Sequence, residues 1–486
     1  MKAIKDILDK VEVLQIKDGG NLHFNAIQFD SRKVGNQDLF VAISGTQVDG
    51  HQYIDQCIKQ GATAIVCQEF PLNIHPNCTY IQVKDSAKTL GQMASNYYGN
   101  PSSKLHLVGI TGTNGKTSTV TMLYNLFRDL GYHTGLLSTV SNRIDEQEIK
   151  ATHTTPDALQ LNALLGEMVN FGCEYCFMEV SSHAIIQERI SGLQFRGALF
   201  SNITHDHLDF HKTFKEYIRA KKQFFDQLTS SAFALVNLDD KNGQVMLQNT
   251  RASKKTYAVK SMADYRARII ENAFSGLHLE INQKEIHVPL VGAFNAYNLL
   301  SVYATAMELD GDEWEVLRLL SKIKTAEGRF EFVPGNTDIN AIVDYAHTPD
   351  ALLNVLNTIN DIRGGVGQLI TVVGAGGDRD KTKRPEMARI AAEKSNRLIL
   401  TSDNPRTENP ESILDDMEAG ITADRKNIVL RITNRKEAIR TAVALAQSGD
   451  IVLVAGKGHE KYQEVNGIRA HFDDKEIISE LINTNQ

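Results

Sequence analysis

Short apolar runs alternate with longer amphipathic segments along almost the whole chain. The short runs predict strands and the longer segments predict helices, an alternation typical of open α/β sheets covered by helices. Glycine and proline interrupt the pattern near residues 100 and 334. We therefore predict an α/β protein with domains at 1–101, 102–333 and 334–486: a mixed α/β domain, a central domain with a mainly parallel sheet, and a Rossmann-like, doubly wound domain.

Strand-like runs in the last of these regions end in polar or Gly-rich residues. They read INAIVDYA, LITVVGAGG, RLILTSDNPR and IVLVAGKGHE. In doubly wound sheets, ligands bind beyond the carboxyl ends of the strands. The third domain is therefore expected to present binding loops at one edge.

The composition is that of an ordinary soluble globular protein, with 42% hydrophobic and 23% charged residues in a chain of 486. A formal net charge of −7 gives no basic field for nucleic acid. No apolar run approaches the ~20 residues of a membrane span, and the amino terminus mixes charged with apolar residues, unlike a signal peptide. We expect a cytoplasmic protein that is not inserted into a membrane.

The cysteines are five in number and irregularly spaced, which does not suggest a disulfide framework. Cys173 and Cys176 form one CxxC pair that runs into the apolar strand YCFMEV. A zinc site needs a second pair of ligands, and a redox motif needs a helix start. Buried structural cysteines are the preferred interpretation.

The sharpest local signal is a Gly-rich turn between the strand-like LHLVGIT and the helix-like TVTMLYNLF. It consists of Gly112, Thr113, Asn114, Gly115, Lys116, Thr117 and Ser118. In a P-loop, backbone N–H groups and the start of a helix surround phosphate oxygens, a lysine adds charge, and a hydroxyl reaches Mg²⁺. The turn is a variant, because Ile110 stands where the usual spacing has glycine.

A second Gly-rich turn, at 374–379, does not fit a dinucleotide-binding fingerprint. That pattern requires glycine where Arg379 stands, and the following residues are charged. A loop that meets a zwitterionic substrate and a solvated surface loop are both compatible with the spacing.

Candidate metal ligands lie at the end of the strand FMEV and within the segment SNITHDHLDFH. Glu179 ends the strand, where a carboxylate can hold Mg²⁺ beside the P-loop. His205, His207 and His211 cluster with Asp206 and Asp209, which permits a zinc site or a Mg²⁺ site with one imidazole. The sequence does not choose among the histidines.

Many motifs together resemble the Mur ligase family. They are GTNGKTS, TTPD, EVSSH, NITHDHLDFH, GAFNAYN, DYAHTPD, GGDRDKTKRPEM, DNPR and GKGHE, in the family's order and across all three predicted domains. The resemblance implies UDP-sugar binding in the first domain, ATP binding in the second and amino-acid binding in the third. Among the family's activities, it points to the ligase that adds meso-diaminopimelate to UDP-N-acetylmuramoyl-L-alanyl-D-glutamate in peptidoglycan synthesis.

The resemblance also assigns catalytic and ATP-binding roles. Lys116 and Thr117 would serve ATP phosphates and Mg²⁺, and Glu179, His207 and Lys221 would hold metal, with Lys221 as a carbamate. Without the resemblance, Lys221 reads as one of two neighbouring surface lysines on a helix. The remaining ATP contacts implied are Asn295, Asn298, Arg329 and Asp344, in addition to the P-loop.

The other two substrates are assigned in the same way. The UDP-sugar peptide would contact Ser31, Thr154, Thr155, Ser181, Gln187 and Arg189, although a surface ion pair is an alternative for Arg189. The amino acid would contact Arg379, Asp403, Asn404, Arg406, Gly456 and Glu460. Arg406 would select diaminopimelate over lysine, because a guanidinium pairs with the carboxylate that lysine lacks; capping a loop or pairing with Glu408 is the alternative.

In the implied reaction, the D-glutamyl carboxylate attacks the γ-phosphate of ATP and gives an acyl phosphate and ADP. The incoming amine then displaces phosphate and forms the amide. Other hypotheses remain: an L-lysine-adding ligase, a folylpolyglutamate synthase-like ligase, and a non-catalytic P-loop regulator. The last would not need Glu179, His207 and Lys221 together. A monomer is expected.

Overall fold

The computed structural model describes residues 2–18, 20, 23–45, 48–151, 153–204, 208–335 and 339–484. Its chain forms three α/β domains, as predicted. Among the described residues, no helix is both long and apolar enough to cross a membrane.

The first domain is built on a mixed sheet with the strand order β2-β7-β6-β5-β4, in which only the β2–β7 pair is antiparallel among the described strands. Its elements are β1 (Lys2–Ala3), α1 (Ile4–Ile7), β2 (Val13–Lys17), β3 (His23–Phe24), β4 (Ile27–Gln28), β5 (Leu39–Val41), α2 (Ile54–Gln60), β6 (Ala64–Cys67), β7 (Thr79–Val83) and α3 (Ser86–Tyr97).

The second domain contains a long sheet with the order β11-β10-β9-β12-β8-β13-β14-β15-β16-β17-β18, parallel from β9 to β16. Its elements are β8 (His106–Thr111), α4 (Lys116–Asp129), β9 (Thr134–Leu137), β10 (Ser141–Ile144), β11 (Gln147–Lys150), α5 (Ala158–Phe171), β12 (Tyr175–Glu179), α6 (Ser182–Ile186), β13 (Gly197–Phe200), α7 (Leu208–His211), α8 (Phe214–Asp226), β14 (Phe233–Asn237), α9 (Gly243–Met246), β15 (Ser253–Ala258), β16 (Tyr265–Ala273), β17 (Gly276–Ile281), β18 (Lys284–Val288), α10 (Ala293–Glu308) and α11 (Glu313–Leu320).

The centre of this sheet is buried on both faces. Strands β12, β13 and β14 are buried throughout, and side chains of α4, α10 and α11 pack on one face while those of α5 and α8 pack on the other. Continuous apolar strands are what a parallel sheet covered by helices requires. The polar residues that follow these strands are thereby gathered at one edge.

The third domain has the strand order β19-β20-β24-β21-β22-β23, with β19 antiparallel and the other described strands of the sheet parallel. Its elements are β19 (Glu331–Val333), β20 (Asn340–Asp344), α12 (Pro349–Arg363), β21 (Leu369–Val373), α13 (Lys383–Lys394), β22 (Arg397–Leu400), α14 (Pro410–Glu418), β23 (Val429–Arg431), α15 (Arg435–Leu445), β24 (Ile451–Ala455), β25 (Tyr462–Val465), β26 (Ile468–His471) and α16 (Asp474–Thr484).

The exact domain boundaries stay a prediction. Strand β19, which ends at the predicted boundary, pairs with β20 of the third sheet. We therefore propose that the second boundary lies a few residues earlier, before β19.

The cysteine prediction agrees with the structure. Cys173 and Cys176 are buried and unbonded, with Cys176 inside β12. Burial raises the pKa of Cys173 to about 11 and the pKa of Cys176 well above its ordinary value. Neither thiol is poised as a thiolate for redox or metal chemistry.

Candidate active site

The P-loop connects β8 to α4, and its glycines permit close backbone approach. Gly115 caps α4 at φ +87°, and a Cβ there would lie 2.5 Å from Asn298 Oδ1. A Cβ on Gly112 would lie 1.9 Å from Ser201 Oγ. Side chains at either position would push the loop away from its neighbours, so the structure explains both glycines.

Lys116 and Thr117 begin α4, and the Lys116 side chain folds back over the loop. Lys116 Nζ donates to the carbonyl oxygens of Gly112 and Thr113, both at 2.9 Å. A lysine held across the loop in this way places its charge at the helix start, where anions bind.

Glu179 ends β12 as predicted and is 1% exposed. Its Oε1 accepts hydrogen bonds from Thr117 Oγ1 at 2.9 Å and from the Thr139 backbone N–H at 2.8 Å. Arg329 Nη2 donates to the same Thr117 hydroxyl at 3.3 Å. A carboxylate, a hydroxyl and a guanidinium thus converge at the carboxyl ends of β8 and β12.

Lys221 lies on α8 but is not on the surface. It is 1% exposed, its Nζ donates to Gly112 O at 2.8 Å, and it lies 4.6 Å from the Tyr217 ring centroid. The interpretation of Lys221 as a surface lysine is therefore wrong. The helix turns this residue under the P-loop.

The oxygen atoms of Glu179 and Thr117 fit Mg²⁺, which prefers hard oxygen ligands. Lys221 as an amine donates to a carbonyl, so it could become a ligand only as the carbamate that the resemblance implies. His205, Asp206 and His207 lie outside the described residues. His211 is buried with Nε2 at 2.9 Å from Ser182 Oγ.

The predicted nucleotide residues come from two domains. Asn295 and Asn298 lie one turn apart on α10, and Asn298 Nδ2 donates to Asn295 Oδ1 at 3.2 Å. Asp344 ends β20 and accepts the backbone N–H groups of Phe330 and Ala346 at 2.6 and 2.7 Å. Burial raises the pKa of Asp344. In this arrangement Asp344 fixes the turn that carries Arg329.

The predicted peptide-binding residues, apart from Ser31, form one polar cluster at the end of β12. Thr155 Oγ1 donates to Glu179 O at 2.8 Å and accepts from Ser181 N at 3.1 Å. Arg189 donates to Gln187 Oε1 at 2.9 and 2.6 Å and to Thr155 O at 2.7 Å.

Thr154 Oγ1 accepts from Thr139 Oγ1 at 3.0 Å, which joins it to the residues around Glu179. Burial lowers the pKa of Arg189. Within the described part of the chain, its side chain makes hydrogen bonds to Gln187 and Thr155, and not the surface ion pair that was the alternative.

Ser31 is placed on a different element. It begins a short 3₁₀ helix, Ser31–Lys33, in the first domain, and Asp30 caps this helix by accepting from Arg32 N. The Arg32 guanidinium holds the Asp30 carboxylate through two bonds of 2.8 Å. Ser31 therefore stands at a capped turn in a domain separate from the cluster around Thr155.

The predicted amino-acid residues follow β21, β22 and β24. Asn404 Nδ2 donates to Glu460 Oε2 at 2.7 Å, and Asn404 Oδ1 accepts from Lys457 Nζ at 3.2 Å. A Cβ on Gly456 would lie 2.7 Å from Asp403 Oδ2, so this glycine lets the two loops approach. Burial and the neighbouring Asp403 raise the pKa of Glu460.

Arg406 has a left-handed backbone, with φ +52°. Its Nη1 donates to Gly377 O at 2.8 Å. Glu408, the alternative partner, instead accepts from Arg384 at 2.7 and 3.0 Å. Arg379 is exposed, and its closest hydrogen bond is to Asp378 O at 3.5 Å.

Sequence reasoning missed two polar residues, one beside the amino-acid loops and one beside the P-loop. Lys457 is 0% exposed and donates to Asn404 and Glu460. Asp350, in the first turn of α12, accepts from Asn114 of the P-loop at 2.8 Å. Both belong to quoted motifs, GKGHE and DYAHTPD, and the signal for Lys457 was its place directly after an apolar strand.

Comparison with known proteins identifies the family. Three family models match successive parts of the chain: Mur ligase family, catalytic domain, at residues 23–98; Mur ligase middle domain at 110–306; and Mur ligase, glutamate ligase domain, at 328–458. A protein from Cytophaga hutchinsonii is 56% identical over 99% of both chains. The chain belongs to the Mur ligase family.

Two of the relatives with high sequence identity are named for the same ligase reaction. The Cytophaga hutchinsonii protein is named UDP-N-acetylmuramoyl-L-alanyl-D-glutamate--2,6-diaminopimelate ligase. A Clostridium acetobutylicum protein, 40% identical over 99% of both chains, has the same name followed by the number 1. A solved structure with the same name is 31% identical, covers 99% of this chain and 98% of its own, and has a TM-score of 0.69.

A folylpolyglutamate synthase structure from Mycobacterium tuberculosis, complexed with ADP and AMPPCP, shares the fold alone. It is 17% identical, has a TM-score of 0.61, and covers 76% of this chain and 92% of its own.

Proposed function

We propose that this chain catalyses the ATP-dependent ligation of meso-2,6-diaminopimelate to the D-glutamyl carboxylate of UDP-N-acetylmuramoyl-L-alanyl-D-glutamate, releasing ADP and phosphate. The observation that carries the proposal is the match, over 99% of both chains, to relatives named for this reaction at 40% to 56% identity. The reaction forms an amide bond in peptidoglycan precursor synthesis.

The P-loop is the proposed ATP site. Backbone N–H groups at the start of α4 and the ammonium of Lys116 would bind the phosphates, and Arg329 would approach them from the third domain's side. Asn295 and Asn298 would lie on the adenine side, and Asp344 near the ribose. Attack of the D-glutamyl carboxylate on the γ-phosphate depends on alignment and charge neutralisation more than on acid–base chemistry.

Glu179 and Thr117 are the proposed holders of Mg²⁺, together with His207 and a carbamylated Lys221. Mg²⁺, when bound, would neutralise charge on the phosphate oxygens. Lys221 is the proposed site of the carbamate because its amine is buried beneath the P-loop. In its amine form, Lys221 supports the P-loop through Gly112 O.

The UDP-sugar peptide would run from the turn at Ser31 to the polar cluster that includes Thr154, Thr155, Ser181, Gln187 and Arg189. The Arg189 guanidinium is held by Gln187 and Thr155 and is therefore preorganised to meet a carboxylate. A peptide bound on this cluster would bring its D-glutamyl carboxylate towards the end of β12, beside the P-loop.

The amino acid would bind at the loops after β21, β22 and β24. Glu460 and Asp403 are suited to an ammonium, whereas Arg406 and Arg379 are suited to carboxylates. Gly456 and Asn404 would complete the contacts. We propose a monomer, because one chain carries all three sites, and a cytoplasmic location, where ATP is available.

The test is an ADP-release assay with each substrate omitted in turn. The proposal predicts release only when ATP, the UDP-sugar dipeptide and diaminopimelate are all present. Release that continues without the dipeptide, or no release with the complete mixture, would overturn it. A non-catalytic P-loop regulator would show ATP binding and no turnover.

A further inference from the structure

Asp350 joins the third domain to the P-loop of the second. It lies in the first turn of α12, directly after the helix cap Thr348 and the first-turn residue Pro349. Its Oδ2 accepts from Asn114 Nδ2 at 2.8 Å and from Thr204 Oγ1 at 3.2 Å. One carboxylate oxygen thus receives donors from two segments of the other domain.

Both of those segments are fixed on their own side. The Asn114 backbone N–H donates to Asn202 Oδ1 at 2.9 Å, and its carbonyl accepts from Ser201 Oγ at 2.7 Å. Thr204 N donates to Thr113 Oγ1 at 3.0 Å. The peptide groups of the P-loop are therefore held by the segment after β13, while the Asn114 side chain extends to the third domain.

Asp350 is also fixed on its own side. Asn354, one turn later on α12, donates to the same Oδ2 at 3.3 Å, and Thr348 Oγ1 caps the helix by accepting from Ala351 N. The helix is long and packs in the core of the third domain through Leu352, Val355 and Leu356. Movement of this domain would therefore move the Asp350 carboxylate with it.

We infer that Asp350 is a positioning residue that couples docking of the third domain to the conformation of the P-loop. This inference rests on the proposed function, because the amino acid bound by the third domain must meet an acyl phosphate formed at the P-loop. When the contact is made, Asn114 and Thr204 are held together with α12. When it is lost, the third domain keeps its fold but docks less often.

Losing a hydrogen bond to a charged group should lower the fraction of molecules with the third domain docked by about tenfold to a hundredfold. The effect falls on steps that need both domains. Asp350→Ala should therefore lower kcat/KM for the amino acid by about tenfold to a hundredfold, and leave the Kd for an ATP analogue within about threefold. Asp350→Asn should recover a large part of the activity, since its amide oxygen still accepts.

The experiment is a double-mutant cycle of Asn114→Ala and Asp350→Ala, with Thr204→Val as a second partner. If the two residues are coupled, kcat/KM of the double variant should be only slightly lower than that of Asn114→Ala alone. The matched control is Asp361→Ala, which removes an exposed carboxylate from the same helix and should match the wild type. Additive losses in both cycles, no loss in Asp350→Ala, or an equal loss of ATP-analogue affinity would overturn the inference.

Small-angle scattering supplies a readout that does not require turnover. With adenylyl-imidodiphosphate and the UDP-sugar dipeptide present, Asp350→Ala should have a larger radius of gyration than the wild type and the Asp361→Ala control. Identical scattering would contradict the inference. A wild type that closes but forms no product would refute the proposed function and leave the scattering result to decide the role of Asp350.

Discussion

Replacing Arg406 with alanine tests whether this side chain selects the acceptor amino acid. Its backbone is held independently of its side chain, because Arg406 N donates to Glu464 O at 3.1 Å and Arg406 O accepts from Asn466 N at 2.7 Å. The left-handed φ of +52° is about as unfavourable for alanine as for arginine. Arg406→Ala should therefore leave the backbone of its own loop in place, and remove the guanidinium together with its hydrogen bond to Gly377 O.

The expected magnitude follows from the difference between the two acceptors. Diaminopimelate carries a carboxylate and an ammonium at its far end, whereas lysine carries the ammonium alone. Loss of hydrogen bonds between a guanidinium and a carboxylate costs about 1.5–3 kcal/mol. This corresponds to roughly one to two decades in kcat/KM for diaminopimelate, with little change for lysine.

The assay measures kcat/KM for both amino acids at saturating ATP and UDP-sugar dipeptide. Arg397→Ala is the matched control, because Arg397 is an exposed arginine at the start of β22, away from the loop that carries Arg406. The control should resemble the wild type. A wild-type preference for lysine, or an equal loss of both activities in Arg406→Ala, would refute the reasoning.

Three further predictions concern other parts of the chain. Lys221→Ala should lower phosphate release by at least about a hundredfold at unchanged circular dichroism, whereas Lys222→Ala should not; an active, folded Lys221→Ala protein would exclude the metal-binding role. Ser31→Ala should raise KM for the UDP-sugar dipeptide about two- to tenfold through loss of one neutral hydrogen bond, and unchanged steady-state kinetics would remove Ser31 from the site. Burial lowers the pKa of His459 from its ordinary 6.5 to about 3. Between pH 6.5 and pH 3, His459 therefore binds a proton in the unfolded chain but not in the folded chain. The free energy of unfolding should fall with decreasing pH in that window by up to about 1.4 kcal/mol per unit from this group; denaturant unfolding should show a flatter pH profile for His459→Gln but not for exposed His471→Gln, and parallel profiles would contradict the assignment.

The parts of the site that follow strands were predictable from the sequence. The apolar runs before Gly112 and Asn404, and the run that ends at Glu179, identify β8, β22 and β12. Within each of the two sheets, parallel strands bring their carboxyl ends to one edge. The family and the three α/β domains were confirmed. The roles of the individual residues, and Mg²⁺ itself, stay predictions.

The sequence pattern did not predict the environment of residues whose contacts are made by segments distant in the chain. Lys221 and Lys222 are adjacent on an amphipathic helix, and only the packing of α8 under the P-loop buries the first. Asp350 reads as an ordinary acidic residue in the first turn of a helix. Its contact with Asn114 spans 236 residues and arises from the arrangement of two domains.

The most direct test of the proposed activity is the mass of the product formed when equimolar meso-diaminopimelate and L-lysine compete for the wild-type protein. The reaction contains ATP, Mg²⁺ and UDP-N-acetylmuramoyl-L-alanyl-D-glutamate, and the nucleotide-linked product is identified by mass spectrometry. The proposed function predicts a tripeptide product that carries diaminopimelate. A product that carries mainly lysine, or an unextended dipeptide, would contradict it.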